Sequence, residues 1–130
     1  MKLLNHKNIV QYLGHERIDN DLWIYLEYMD AGNIATILHK YGRLTDSSIK
    51  IYAKQILEGL VYLHSENVIH RDIKGANILA SNDGTVKLAD FGCAKQLEVT
   101  LNSLSMEADK ENFNRTLKGS VPWMAPEVIK

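Results

Sequence analysis

Three short motifs in the second half of the chain hold the side chains best suited to chemistry. The first runs from His70 through Asp72 to Asn77, the second is Asp-Phe-Gly at 90–92, and the third is Ala-Pro-Glu at 125–127. Any one of them alone is weak evidence. All three in this order would arise by chance on the order of once in a million sequences or more rarely, so the set is a strong signal.

The residue types indicate transfer of a phosphoryl group from ATP, a reaction that depends on positioning and charge neutralisation more than on covalent chemistry. Asn77 and Asp90 supply an amide carbonyl and a carboxylate, which are ligands suited to Mg²⁺. The carboxylate of Asp72 can orient a substrate hydroxyl and accept its proton. Lys74 can place its ammonium beside the transferred phosphate. The predicted catalytic residues are therefore Asp72, Lys74 and Asn77, and the predicted metal ligands are Asn77 and Asp90.

Two strand-like segments near the N-terminus are predicted to form a hairpin. Residues 9–18 begin with apolar and β-branched side chains, and residues 22–29 are rich in aromatic and β-branched ones. The intervening Asp19-Asn20-Asp21 favours a turn. A short helix is predicted over about 34–40.

The strongest helical pattern runs from about residue 46 to 65, with the hydroxyl of Thr45 as the predicted N-cap. Apolar residues recur there at helical spacing and predict one stripe that another element must bury. The stripe consists of Ile49, Tyr52, Ala53, Ile56, Leu57, Leu60 and Leu63.

Short strands and turns are predicted after that helix. Residues 68–69 and 78–80 are apolar, and Asp83-Gly84 predicts a hairpin turn into a strand over 85–89. This arrangement would place the two metal ligands at the ends of short β segments that face one cleft. Residues 96–118 are polar and without periodicity, which predicts a long, mobile surface loop.

The bulk composition excludes several other classes of protein. The 130 residues include 15 basic and 16 acidic side chains, for a net charge of −1. A nucleic-acid or membrane-surface binder would carry a basic excess, so neither partner is predicted. The single cysteine excludes an internal disulfide. There is no apolar run long enough to span a membrane, and the N-terminus is too polar for a signal peptide, which predicts a cytoplasmic protein.

The sequence resembles the eukaryotic protein Ser/Thr kinases, most nearly the MAP kinase kinase kinase group, over nearly the whole chain apart from 96–115. The segments that carry the resemblance are 6–14 (HKNIVQYLG), 26–29 (LEYM), 70–77 (HRDIKGAN), 91–95 (FGCAK) and 119–127 (GSVPWMAPE). It implies an α+β, protein-kinase-like fold in partial form. Residues 1–29 would be the end of the N-lobe sheet and the hinge, and 30–130 the first, mostly helical half of the C-lobe through the activation segment.

The resemblance also implies the cofactors and the substrate class. ATP and Mg²⁺ are the expected cofactors, with the backbone of Glu27 and Met29 holding adenine, Leu26 as gatekeeper and Leu79 packed beneath the ring. Lysine at position 74, expected to contact the ATP phosphate, is the form found in Ser/Thr kinases. The expected activity is transfer of the ATP γ-phosphoryl group to Ser or Thr of a protein substrate in a MAP kinase cascade, with a MAP kinase kinase as the candidate substrate.

In this family, an arginine beside the catalytic aspartate implies regulation by phosphorylation of the activation segment, and Arg71 occupies that position. Thr116 is the first candidate acceptor, ahead of Ser103 and Ser105, for which solvated loop residues are the alternative interpretation. Ser120 is expected to have a structural role, with its hydroxyl contacting the catalytic aspartate and lysine.

Two further side chains beside the motifs are assigned structural roles. His70 is expected to belong to a stacked core with Phe91 and Tyr12, and not to act as a ligand. Cys93 is expected to be a small buried residue in preference to a reactive thiol.

Part of the family's nucleotide-binding apparatus has no counterpart here: the glycine-rich loop, the lysine of the third strand and its glutamate partner on the αC helix. We therefore expect a truncated piece of a kinase, with negligible phosphotransfer and a tendency to aggregate on its own. The alternative is a complete natural product that acts as a non-catalytic, pseudokinase-like binding module. Oligomeric state and upstream activator are not indicated by the sequence.

Overall fold

The computed structural model describes residues 4–96 and 119–129 of the chain. The predicted N-terminal hairpin is present, with β1 (Tyr12–Ile18) antiparallel to β2 (Asp21–Leu26). Asp19 takes a left-handed conformation (φ 54°) in the turn, which a short polar residue tolerates well. The second strand ends at Leu26, three residues earlier than predicted, because the chain leaves the hairpin there and carries Met29 into a buried position.

Two helices follow the hairpin. In α1 (Ile34–Tyr41), Asn33 is the N-cap, its side-chain oxygen accepting a hydrogen bond from the backbone N–H of Thr36 at 2.9 Å. In α2 (Asp46–Ser65), the predicted cap is confirmed, since the hydroxyl of Thr45 accepts from the N–H of Ser48 at 3.2 Å. Both caps satisfy backbone donors that have no partner within the helix.

The predicted apolar stripe of α2 is buried over only part of its width. Leu63 is fully buried and Tyr52, Ile56 and Leu60 pack against the core, whereas Ile49, Ala53 and Leu57 are exposed. Within the described residues the stripe is therefore only partly covered, because no described element packs over its outer edge. In the described part of the chain, no helix is both long and apolar enough to cross a membrane.

Short antiparallel pairs join the segment before α1 and the strands that follow α2. Strands β3 (Gly32–Asn33), β5 (Ile78–Ala80) and β6 (Val86–Leu88) form one sheet in the order β3-β5-β6, and β4 (Val68–Ile69) pairs with β7 (Lys95–Gln96). The predicted turn at Asp83-Gly84 is confirmed, with Gly84 at φ 86°. Three single-turn 3₁₀ segments (Gly75–Asn77, Phe91–Cys93 and Val121–Trp123) and a last helix, α3 (Pro126–Ile129), complete the described structure.

The main core lies where α2 meets the three-stranded sheet. Leu63, Val86 and Leu88 are almost wholly buried. Ile9 forms a parallel bridge with Leu88, which attaches the N-terminal segment to β6. The segment is held by two backbone bonds of 2.9 Å, from Leu88 to the carbonyl of Asn8 and from Val10 to the carbonyl of Leu88. The core thus fixes β6, whose end leads directly into the second motif.

Replacing Gly59 with alanine should destabilise the protein, although glycine-to-alanine changes inside helices usually stabilise by about 0.5–1 kcal/mol. A Cβ at this position would lie 2.9 Å from the backbone oxygen of Asn8 and 3.2 Å from Cδ1 of Leu88. We expect the free energy of unfolding to fall by about 1–3 kcal/mol, measured by urea unfolding. Lys54→Ala, on the exposed side of the same helix, is the control and should change it by less than about 0.5 kcal/mol. An unchanged or higher urea midpoint for Gly59→Ala would show that the contact is not tight.

Candidate active site

The carboxylate of Asp72 is the centre of the site and is buried, with 7% of the residue exposed. Its Oδ2 accepts hydrogen bonds from Nζ of Lys74 and from Nδ2 of Asn77, each at 2.9 Å. The same Nδ2 also donates to the backbone carbonyl of Asp72 at 2.9 Å. The 3₁₀ turn at Gly75–Asn77, closed by a 2.9 Å bond from the N–H of Asn77 to the carbonyl of Lys74, returns the chain to the aspartate. The structure therefore brings the three predicted catalytic residues together.

The second carboxylate oxygen of Asp72 differs from the first. Oδ1 is buried and accepts no hydrogen bond from the described residues. Buried carboxylate oxygens are normally paired, because the loss of hydration is otherwise uncompensated. Among the described residues, Oδ1 of Asp72 is thus an unpaired acceptor that solvent does not reach in this conformation.

Ser120, which is distant from the catalytic loop in sequence, also contacts the site. Its Oγ accepts a hydrogen bond from Nζ of Lys74 at 2.6 Å, and its hydroxyl is near enough to the carboxyl of Asp72 to lower the pKa of that group. The predicted contact of Ser120 with the aspartate and the lysine is thus present. Hydrogen bonds from Lys74, then Ser120, then Asn77 outweigh the effect of burial and lower the pKa of Asp72 to about 2.

The depressed pKa of Asp72 should be measurable by ¹³C NMR of its carboxyl carbon. Because the folded pKa of about 2 lies below the unfolded value of about 3.9, ionisation of Asp72 stabilises the fold fully above about pH 4 and this contribution is lost as the pH falls through 2. Lys74→Met should raise the pKa of Asp72, and Lys54→Met should leave it where it is. An equal pKa of Asp72 in both variants would contradict the assigned cause.

Asp90 follows β6 and adopts a left-handed conformation with φ 62° and ψ 77°. Its Oδ1 accepts from the N–H of Gly92 at 3.2 Å, and the side chain is exposed. The preceding residue, Ala89, donates its N–H to the carbonyl of Asn77 at 2.9 Å. The backbone therefore places the two predicted metal ligands beside each other at the ends of neighbouring strands.

These two residues fit a magnesium ion that is delivered with a nucleotide. The described residues contain no group of three or more His, Cys, Asp or Glu side chains that could hold a metal by themselves. Mg²⁺ commonly takes one or two protein oxygens together with phosphates and waters, which suits one carboxylate and one amide. Since Nδ2 of Asn77 is committed to Asp72, its Oδ1 is the atom left to bind a cation, together with the exposed carboxylate of Asp90.

His70 is a buried structural residue, as its sequence context predicts. Its Nε2 hydrogen-bonds the carbonyl of Ala89 at 3.0 Å, its Nδ1 accepts from the N–H of Asp72 at 3.3 Å, and burial lowers its pKa. The ring of Phe91 packs on it with centroids 5.0 Å apart. Tyr12, predicted to join this stack, instead contacts His15 on its own strand, because the hairpin holds both residues on one exposed ribbon.

Arg71, between His70 and Asp72, has a left-handed conformation with φ 63°. Its Nε donates to the carbonyl of Cys93 at 2.6 Å. Cys93 is half-buried, and so less enclosed than predicted. The predicted phosphorylation candidates Ser103, Ser105 and Thr116 lie outside the described residues.

The predicted adenine-binding residues lie at the end of the hairpin. Met29 is buried in a small cluster with Val10 and Ala89, and Leu79 packs against that cluster. The backbone N–H of Glu27 donates to the carbonyl of Gln11 at 2.9 Å. This leaves the carbonyl of Glu27 and the backbone of Met29 for a base. Leu26, the predicted gatekeeper, is about half exposed in the described structure.

Two polar groups that support the site were not predicted. The carboxylate of Glu27 forms an ion pair with Nζ of Lys87 at 2.5 Å. Gln55 on α2 accepts from the N–H of Val86 at 2.9 Å and from Nδ2 of Asn8 at 3.0 Å. Gln55 could have been suspected from the sequence, because it is a polar residue among the apolar residues of α2. The ion pair between Glu27 and Lys87 joins residues sixty positions apart, so no local sequence pattern indicates it.

The cluster of Asp72, Lys74 and Asn77 with Asp90 nearby has the arrangement that the sequence motifs predict for the protein kinase class. The protein kinase domain family matches residues 1–130, so the chain belongs to that family. The predicted α+β, partial protein-kinase-like fold and the predicted family, protein Ser/Thr kinase, are both confirmed.

Similar proteins come from plants, fungi and amoebae. The chain is 50% identical over 127 residues to mitogen-activated protein kinase kinase kinase YODA of Arabidopsis thaliana, covering 98% of this chain and 13% of that protein. It is 49% identical over 127 residues to mitogen-activated protein kinase kinase kinase MST11 of Pyricularia oryzae, covering 98% and 14%. It is 45% identical over 130 residues to mitogen-activated protein kinase kinase kinase A of Dictyostelium discoideum, covering 100% and 13%.

These relatives confirm the predicted likeness to the MAP kinase kinase kinase group. The chain spans only 13 to 14% of the length of the three relatives.

Proposed function

We propose that residues 1–130 are the catalytic-loop portion of a protein Ser/Thr kinase that transfers the γ-phosphoryl group of ATP to a protein hydroxyl. The observation that carries the proposal is the cluster around Asp72, whose Oδ2 accepts from both Lys74 and Asn77 while Lys74 also donates to Ser120.

Each residue of the site has a definite task in this proposal. The carboxylate of Asp72 orients the substrate hydroxyl and accepts its proton as the oxygen becomes a nucleophile. Lys74 holds a positive charge next to Oδ2 of Asp72 and to the hydroxyl of Ser120. When bound, Mg²⁺ and ATP supply the phosphoryl group and part of its charge neutralisation, and Asn77 and Asp90 would hold the metal.

The nucleotide base would bind at the hinge. The carbonyl of Glu27 and the backbone of Met29 would contact the base, with Leu79 beneath it, packed against the cluster of Val10, Met29 and Ala89. We propose a MAP kinase kinase as the protein substrate, because the relatives carry the name MAP kinase kinase kinase, and a cytoplasmic location. The division into 1–29 and 30–130 and the absence of nucleic-acid and membrane partners remain predictions.

The competing function is that of a non-catalytic, pseudokinase-like binding module. It is favoured by the apolar residues exposed on β2 and on the outer side of α2, since such surfaces commonly contact other proteins. These residues are Leu22, Trp23, Ile24, Leu57 and Val61. Intact Asp72, Asn77 and Asp90 favour catalysis, because a binding module has no chemical need for all three.

The two functions are separated by an assay of phosphate transfer from ATP and Mg²⁺ to a generic Ser/Thr protein substrate. We would compare residues 1–130 with the protein expressed together with its flanking coding sequence. Transfer by the longer protein and negligible transfer by residues 1–130 would support a kinase in which some of the nucleotide-binding residues lie outside residues 1–130. No transfer by either protein would reject the kinase and leave the binding module.

A further inference from the structure

The carboxylate of Glu27 joins three segments that surround the expected adenine site. Its Oε2 accepts from the backbone N–H of Gln11 at 3.1 Å, while the N–H of Glu27 returns a bond of 2.9 Å to the carbonyl of Gln11. Its Oε1 receives Nζ of Lys87 at 2.5 Å. The hinge residue is therefore tied to β6 through its side chain and to the segment before β1 through its backbone and side chain.

The position of Lys87 on β6 relates this ion pair to the predicted adenine site. In the β5-β6 ladder, Lys87 lies directly opposite Leu79. Cross-strand partners place their side chains on the same face of a sheet, and Val86 and Leu88 on either side of Lys87 point into the core. One end of the ion pair therefore lies on β6, directly across the ladder from the predicted floor of the adenine site on β5. The other end lies on Glu27, the residue whose carbonyl is predicted to contact the base.

The ion pair is sheltered enough to hold its geometry. The side chains of Lys87 and Glu27 are 16% and 29% exposed, well below the exposure of lysines in surface pairs such as Lys54 with Glu58 at 79%. Partial burial raises the pKa of Glu27, but hydrogen bonds from Lys87 and from the N–H of Gln11 outweigh it and lower the pKa below its usual value. Glu27 is thus ionised at neutral pH, and removing its partner would leave a partly buried charge without compensation.

We propose that Lys87, through its ion pair with Glu27, is a positioning residue that sets the distance between the hinge carbonyl and the floor of the adenine site. The inference rests on the proposed function, because it concerns how that same site binds the base of ATP. Lys87 does not touch the transferred phosphate or the substrate hydroxyl. Its loss should therefore weaken binding of the nucleotide without slowing the chemical step.

The test is a comparison of kcat and KM in the protein expressed with its flanking sequence. Lys87→Met should raise KM for ATP roughly three- to tenfold, the loss expected for one charged hydrogen bond that aligns a binding group, and leave kcat within about twofold. Lys87→Arg keeps the charge and should restore most of the affinity. Lys54→Met removes an exposed lysine of α2 and should leave both constants unchanged.

Direct binding adds a readout that a general loss of stability would not produce. Affinity for ADP should fall in Lys87→Met by the same factor as KM rises, whereas affinity for inorganic tripolyphosphate with Mg²⁺ should not change, because only the base contacts the hinge. If Lys87→Met does not fold, Glu27→Gln serves instead. This variant keeps an acceptor for the N–H of Gln11 and loses the charge. It should therefore weaken the binding of ADP without affecting the binding of tripolyphosphate.

The outcomes separate this inference from the function on which it rests. If the unsubstituted protein transfers phosphate and Lys87→Met has an unchanged KM, or a kcat reduced as much as its affinity, the positioning role is refuted and the kinase function stands. If the unsubstituted protein transfers no phosphate, the proposed function fails, and the affinity for ADP alone tests the positioning role of Lys87. A selective loss of ADP affinity then still supports the positioning role, and equal or absent ADP binding overturns it.

Discussion

Asp72→Asn is expected to reduce kcat for phosphate transfer by about two to four orders of magnitude, the usual contribution of a positioned general base. Asparagine has the same shape, and its amide oxygen can still accept from Lys74 and Asn77 as Oδ2 does now. The amide nitrogen would then occupy the place of Oδ1. A nitrogen that donates cannot accept the proton of a substrate hydroxyl, so the loss should fall on kcat and not on the KM for ATP.

Initial rates with ATP, Mg²⁺ and a generic Ser/Thr substrate, measured in the protein expressed with its flanking sequence, test this expectation. Asp46→Asn is the matched control, since Asp46 lies in the exposed first turn of α2 and should change the rate by less than twofold, roughly the effect of a surface substitution. A rate for Asp72→Asn within about tenfold of the unsubstituted protein would remove this residue from the role of base.

Asp90→Asn is expected to lower the rate at ordinary Mg²⁺ by roughly two orders of magnitude, because a charged metal ligand becomes a neutral one. The variant isolates the charge: asparagine tolerates the left-handed backbone that Asp90 adopts, and its amide oxygen can still accept from the N–H of Gly92. The Mg²⁺ concentration for half-maximal rate should rise by about tenfold or more.

A Mg²⁺ titration distinguishes the loss of activity in Asp90→Asn from that in Asp72→Asn. Activity of Asp90→Asn should recover partly as Mg²⁺ is raised, whereas that of Asp72→Asn should not, since excess metal cannot supply a missing base. Asp21→Asn, in the exposed second strand of the hairpin, is the control. If Asp90→Asn had an unchanged Mg²⁺ requirement, the assignment of Asp90 as a metal ligand would be wrong.

The local elements were predictable from sequence because their signals are local. Thr45 before an apolar repeat of period 3.6 indicated both the start and the extent of α2, and Asp83-Gly84 between two apolar runs indicated the turn before β6. The spacing of the motifs likewise located Asp72, Lys74 and Asn77, which the structure brings together.

What could not be predicted depends on pairing between distant segments. The two-residue strands β3 and β7 carry no pattern of their own and exist only because Leu79, Ala80, Val68 and Ile69 offer partners. The ion pair between Glu27 and Lys87, and the extent to which α2 is covered, also depend on which surfaces meet in three dimensions. Amphipathic spacing identifies a face that can be buried, but the elements that pack on it decide how much of it is.

The close approach of Gly119 to the residue before Asp72 has a consequence for how this chain can vary. A Cβ on Gly119 would lie 2.4 Å from the backbone oxygen of Arg71, and on the other side of residues 97–118 Gln96 pairs with Val68. Both boundaries of that segment are therefore anchored on the stretch that leads into the catalytic loop. A side chain larger than hydrogen at position 119 would push against Arg71 and move Ser120 away from Lys74. The hydrogen bond between Lys74 and Ser120 therefore depends on glycine at the position before the serine.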